Sequence, residues 1–175
     1  MNNQQIVIVG FMGSGKTTVA HALARKLNSR TVDLDELITQ RETRAPKEII
    51  EQDGEEAFRT IESRLLHEVL VGAFARVLAV GGGAWTIADN RKRILEHEAF
   101  TVWLDAPFEL CWNRIEAGRE ARPLARSREL AQTLYDARLP IYALADARVP
   151  VSEDESAEEI AAKVARIVLR QSAKS

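Results

Sequence analysis

Apolar residues along this chain alternate between two rhythms. Short continuous runs are separated by longer stretches in which the apolar positions recur every three to four residues. Residues 5 to 9 (Gln-Ile-Val-Ile-Val) form a β-branched run closed by Gly10 and read as a strand. Residues 19 to 27 repeat at helical spacing, and residues 30 to 33 read as a second strand ending in the acidic cluster Asp33-Leu34-Asp35-Glu36. Short helices are expected over 37 to 41 and 46 to 52, with Pro46 suited to a first helical turn. A longer helix is expected over 55 to 71, after Gly54, with Phe58, Ile61, Leu65, Leu66, Val69 and Leu70 along one face. A wholly apolar third strand over 77 to 80 ends in Gly81-Gly82-Gly83. Beyond it the pattern predicts a helix over 89 to 98, a strand over 100 to 104 and a helix opened by Pro107. Residues 118 to 128 break the rhythm with Pro123 and the arginines Arg119, Arg122, Arg126 and Arg128. A helix over 129 to 145, a strand over 148 to 151 and an amphipathic helix over 156 to 171 complete the chain.

Strands alternating with helices imply a parallel sheet with right-handed crossovers, an α/β domain of three layers. Such sheets bind ligands beyond the C-terminal ends of their strands. The first three strands end there in residues 10 to 18, in the Asp33/Asp35 pair and in the triple glycine, so the chemistry is expected on one edge. Gly10, Gly15, Lys16 and Thr17 complete the G-x-x-x-x-G-K-[ST] pattern between a strand and a helix. In that context Gly13, Ser14, Gly15, Lys16, Thr17 and Thr18 form a cradle. Backbone N–H groups and the helix N-terminus meet phosphate oxygens, Lys16 reaches the β- and γ-phosphates, and the Thr17 hydroxyl ligates Mg²⁺. The chain is therefore expected to bind a nucleoside triphosphate. Asp33 and Asp35, two residues apart, are expected on one side of an extended segment.

Composition narrows the setting. The 175 residues suit one domain, and a formal net charge of −2 gives no electrostatic case for nucleic acid or an anionic membrane. The single cysteine, Cys111, excludes an intramolecular disulfide and a cysteine-built zinc site, which fits a reducing compartment. No apolar run approaches the ~18 residues of a membrane span, and no signal peptide is expected ahead of the first strand. A cytoplasmic monomer is expected. His21, His67 and His97 show no metal-ligand spacing, and Cys111, Trp103 and Trp112 read as packing residues.

Six motifs occur in order: Gly-Phe-Met-Gly-Ser-Gly-Lys-Thr (10 to 17), Asp-Leu-Asp (33 to 35), Gly-Glu-Glu-Ala-Phe-Arg-Thr-Ile-Glu (54 to 62), Gly-Gly-Gly-Ala (81 to 84), Arg-Pro-Leu (122 to 124) and Arg-Leu-Pro-Ile-Tyr (138 to 142). Together they closely resemble the shikimate kinases, over about residues 5 to 165. The resemblance implies a P-loop NTPase fold of the nucleoside-monophosphate-kinase type, with a five-stranded parallel sheet, a substrate-binding helical region over about 34 to 62 and a lid over about 118 to 128. It implies ATP-dependent phosphorylation of the 3-hydroxyl of shikimate, in aromatic amino-acid synthesis, with Mg²⁺ beside ATP. Residue by residue, Lys16, Asp35 and Arg122 match the catalytic set, with Arg122 delivered by the lid. Arg114 matches a position near adenine. Thr17 and Asp33 match the metal-holding positions, Asp33 through water. Arg59 and Arg138 match the carboxylate-binding arginines; Asp35 matches the residue that accepts hydrogen bonds from substrate hydroxyls or acts as base. Phe58 and the backbone of Gly81, Gly82 and Gly83 match the rest of the substrate pocket. The residue chemistry agrees, since arginine pairs bidentately with carboxylates and a bare backbone approaches a ligand closely.

Four positions depart from that family: Thr43, where glycine is usual; Ile50, where a pocket phenylalanine is usual; the bulky Trp85; and the acidic stretch around Glu155, where an Arg or Gln meets adenine. Two rival readings share the P-loop. A gluconate kinase would not need Arg59 and Arg138 beside Asp35 and the glycine triplet. An idle nucleotide-binding module would be expected to have lost Lys16, Asp33 or Arg122, and all three are present.

Overall fold

A computed structural model describes residues 4–118 and 127–172 of the chain. Five parallel strands, β1 (Ile6–Val9), β2 (Thr31–Asp33), β3 (Val77–Ala79), β4 (Phe100–Asp105) and β5 (Ala147–Pro150), lie in the order β2-β3-β1-β4-β5. The central strand β1 is all β-branched and wholly buried, as a strand covered on both faces must be. At one edge β5 alternates buried and exposed positions, and Pro150 withholds an N–H from the open side.

Among the described residues, eight α-helices connect or cover the strands: α1 (Lys16–Lys26), α2 (Leu34–Glu42), α3 (Pro46–Asp53), α4 (Glu55–Gly72), α5 (Ala88–Glu96), α6 (Phe108–Ala117), α7 (Arg128–Tyr142) and α8 (Ala157–Ser172). The chain runs from β1 to β2 toward one edge, then back through β3, β4 and β5. With right-handed crossovers, that reversal puts α1 on one face and α4 and α5 on the other. Helices α1 and α8 pack together, as do α4 and α5, so the sheet is the middle of three layers. Each fully buried Leu, Ile or Val in this core contributes roughly 1.5–3 kcal/mol by leaving water.

Three local features differ from the sequence expectation. Helix α2 begins at Leu34, so Asp35 lies in its first turn rather than on an extended segment with Asp33. The reason is a cap. Asp33 ends β2 in an extended conformation, and its carboxylate accepts N–H bonds from Asp35 (2.9 Å) and Glu36 (3.4 Å), donors that a helix start otherwise leaves unpaired. A single 3₁₀ turn, Ala84–Thr86, follows the triple glycine and was not expected. Helix α7 starts at Arg128 with Ser127 as its N-cap, and ends at Tyr142.

Candidate active site

The site opens beyond the C-terminal ends of β1, β2 and β3, as a cavity of about 270 Å³. Met12, Gly13, Gly15, Lys16, Thr17 and Thr18 line it from the phosphate loop, together with Asp33, Asp35, Gly81, Gly82 and Arg114.

At the phosphate end, Gly13 and Gly15 both adopt positive φ (79° and 92°), which turns the loop sharply onto the start of α1. A side chain at Gly13 has no space, because its Cβ would stand 2.5 Å from the Cys111 carbonyl oxygen. The Lys16 ammonium donates to the Phe11 carbonyl (2.9 Å) across the loop. Thr17 donates its hydroxyl to Asp33 Oδ2 (2.5 Å), while Asp33 Oδ1 caps α2. One carboxylate thereby ties the phosphate loop to the acceptor-side helix. Thr17 and Asp33 also give the cavity two hard oxygen donors. This suits Mg²⁺, which commonly takes one or two protein oxygens and completes its shell with phosphate and water. Among the described residues, no group of three or more His, Cys, Asp or Glu forms a self-sufficient metal site. Arg114, from the last turn of α6, reaches over the loop and donates to the Gly13 carbonyl (3.2 Å). Ser14 is buried, with an unpaired hydroxyl. Cys111 lies fully buried beneath the loop, and burial pushes its thiol up to about 11, so it is inert packing.

At the acceptor end the glycine triplet forms a floor crowded by polar side chains. A Cβ on Gly81 would stand 2.7 Å from Glu62 Oε1 and 3.5 Å from Asp35 Oδ1. One on Gly82 would stand 3.0 Å from Tyr142 Oη and 3.5 Å from Arg138 Nη1, and one on Gly83 would fall onto the Arg59 guanidinium. Asp35, Arg59 and Arg138 therefore converge on three adjacent glycines, from α2, α4 and α7. Phe58 is buried in the core, with the Arg59 guanidinium 5.0 Å over its ring.

Glu62 belongs to this cluster and carried no role in the sequence reading. It is fully buried one turn after Arg59, accepts from Arg59 Nη1 (2.7 Å) and leaves its other oxygen unpaired. Burial pushes its carboxyl above the ordinary value; Arg59 and Arg138 pull it back, and Asp35 pushes it up further. Glu55 takes the second side of the Arg59 guanidinium (3.1 Å). Arg59 is thus held between two acids and presented to the glycine floor.

Among the four arginines of residues 118 to 128, Arg128 is engaged elsewhere. It makes a two-pronged pair with Glu109 and lies 5.3 Å over the Phe108 ring. Arg122 lies outside the described residues, as do Arg119 and Arg126. The four departures are accounted for locally. Thr43 adopts the left-handed conformation that ends α2, where glycine would be easier. Ile50 packs partly buried against the core. Trp85 is buried, and Glu155 turns to Lys163 and Ser152.

Comparison with known proteins bears on the family and the fold. The family model described as shikimate kinase matches residues 12–168. The shikimate kinase of Ruegeria pomeroyi is 39% identical over 165 residues, covering 93% of this chain and 83% of that one. Among solved structures, the shikimate kinase of Acinetobacter baumannii in complex with shikimate superposes with a TM-score of 0.86 at 32% identity, covering 96% of this chain and 94% of that one. A gluconokinase from Sinorhizobium meliloti superposes with a TM-score of 0.67 at 20% identity, covering 99% and 98%, a likeness of fold alone.

Proposed function

The chain belongs to the shikimate kinase family and is a small-molecule kinase that phosphorylates shikimate with ATP; from that premise we propose how its residues divide the work. One observation carries the proposal: Asp35, Arg59 and Arg138 converge on Gly81–Gly83, and Asp35, Gly81 and Gly82 line the same cavity as the phosphate loop. Arg59 and Arg138 bind the acceptor carboxylate, and charged hydrogen bonds of this type set both energy and orientation. Asp35 holds the 3-hydroxyl and takes its proton as the new oxygen–phosphorus bond forms and the bond to the ADP oxygen breaks. Gly81, Gly82 and Gly83 offer backbone groups at a distance that no side-chain-bearing residue would allow, and Phe58 stiffens Arg59 from behind.

Gly13, Ser14, Gly15, Lys16, Thr17 and Thr18 cradle the phosphates. Lys16 stabilises the charge spread over the transferring oxygens, and Arg114 braces the loop beside the nucleotide. Thr17 and Asp33 would hold Mg²⁺, and the ion would neutralise phosphate charge. Arg122, in the segment between α6 and α7, adds a positive charge beside the transferring oxygens. Residues 34 to 62 form the substrate-binding region of a single domain. One chain brings together every member of this set that lies among the described residues, which supports a monomer. The single buried thiol and the ATP requirement support a cytoplasmic setting, and the charge of −2 supports the absence of nucleic-acid or membrane partners.

A coupled assay of ADP release tests the reading. Turnover with shikimate should exceed both the acceptor-free rate and the rate with gluconate by orders of magnitude. Equal rates with the two acceptors would leave a P-loop kinase with a different acceptor.

A further inference from the structure

Two residues outside the cavity explain why Arg138 stays where the acceptor carboxylate needs it. Arg138, Ile141 and Tyr142 fall at i, i+3 and i+4 on α7, so they share one face of its last turn. Both later positions are pinned to the glycine segment. The Tyr142 hydroxyl donates to the Gly82 carbonyl (2.9 Å), and the Trp85 indole N–H donates to the Ile141 carbonyl (2.8 Å). This turn needs outside support. Pro140 lies inside it and brings no N–H, so the carbonyl four residues back loses its helical donor; the Leu139, Ile141 and Tyr142 carbonyls accept from Ala143, Leu144 and Ala145, and only Ile141 takes the indole N–H besides.

The anchors are themselves fixed. Tyr142 is fully buried and stacked at 6.2 Å on Trp103. Trp85 is buried in the 3₁₀ turn after the triplet; its carbonyl accepts from Arg91 (2.7 Å), and the neighbouring Ala84 carbonyl accepts from Asn90 (3.0 Å) on α5. Arg138, only 7% exposed, and the Tyr142 oxygen flank the same point above Gly82. Burial raises the phenol to about 12, while the adjacent Arg138 pulls it the other way, so the hydroxyl stays a neutral donor at any working pH.

We propose that Tyr142 and Trp85 are positioning residues that hold Arg138 over the glycine floor by fastening the last turn of α7 to Gly82 and to the 3₁₀ turn. The proposal rests on the reading of Arg138 as a carboxylate ligand. It gives a task to a bulky residue where this family usually has a small one, and to the tyrosine that closes the 138 to 142 motif.

Steady-state kinetics on Tyr142→Phe, Trp85→Phe, Arg138→Ala and the Arg138→Ala/Tyr142→Phe double variant test it. Loss of either anchoring hydrogen bond should raise the shikimate KM about 5- to 15-fold, with the ATP KM and kcat within about 2-fold of wild type. In the Arg138→Ala background the Tyr142→Phe change should add nothing, because the guanidinium it positions is gone. A merely structural tyrosine would keep its effect in both backgrounds or change all three constants together; either result overturns the proposal. Unchanged shikimate KM in Tyr142→Phe and Trp85→Phe, with Arg138→Ala impaired, refutes the anchors alone. Should Arg138→Ala itself bind shikimate normally, the carboxylate reading falls and the anchors with it. If Tyr142→Phe does not fold, Trp85→Phe carries the same comparison.

Discussion

Glu62 shows best how one residue can be plain in the structure and hidden in the chain. It falls four residues after Phe58 and three before Leu65, inside the apolar stripe of α4, so the stripe absorbs it. The available signal was that one acid interrupts an otherwise apolar face three residues after an arginine. A lone buried carboxylate must find a cation, and Arg59 is that cation. Its pH behaviour follows. Burial raises the folded carboxyl above its ordinary 4.5, so the folded chain holds this proton more tightly than the unfolded one. The stability tied to Glu62 is therefore full below 4.5 and is lost as pH rises through the folded value. Glu62→Gln removes that titration. The unfolding midpoint of the variant, measured from about pH 4 upward, should fall less with rising pH than that of the wild type. Parallel profiles would mean that Arg59 compensates the burial fully.

At the scale of elements, the two rhythms of the chain were enough to find the five strands and eight helices of the described residues within a few positions, because each buried face repeats with its own period. The phosphate loop was legible because a strand, a glycine-rich turn and Lys-Thr have few other uses together. Less legible were features decided by side chains acting on local backbone. Asp33 as a cap draws Asp35 into α2, and the 3₁₀ turn after the triplet depends on bonds to partners such as Asn90 and Ile141. Spacing alone carries neither. The convergence of Asp35, Arg59 and Arg138 is tertiary, and only resemblance to a family had grouped them. The loop element makes a prediction of its own. Gly13→Ala forces a residue with a side chain into positive φ and against the Cys111 carbonyl. The strained conformation alone costs about 1–3 kcal/mol, and the loop must shift to relieve the contact. Chemical denaturation should show a loss of at least that size, and ATP affinity should fall with it. A variant of wild-type stability and ATP affinity would mean that α6 yields easily beneath the loop.

Over the whole molecule, the sheet order brings the ends of β1, β2 and β3 side by side, and that adjacency makes a single site from segments spread over more than sixty residues. The phosphate loop ends β1, Asp33 ends β2 and the glycine triplet follows β3; α4 and α7 then deliver one arginine each over the triplet. Charge is thereby sorted, with Lys16 and Arg114 at the phosphate loop and Asp35, Arg59 and Arg138 at the glycine triplet. Such an arrangement separates the two substrates. Calorimetric titration of shikimate in the absence of nucleotide, with ATP titrated separately, into wild type, Arg59→Ala and Arg138→Ala reads that separation directly. Removing one partner of a desolvated charge pair costs roughly 2–5 kcal/mol, so each arginine variant should bind shikimate about 30- to several thousand-fold more weakly, with ATP affinity nearly unchanged. Shikimate affinity equal to wild type in both variants, or an equal loss for both ligands, would contradict the account.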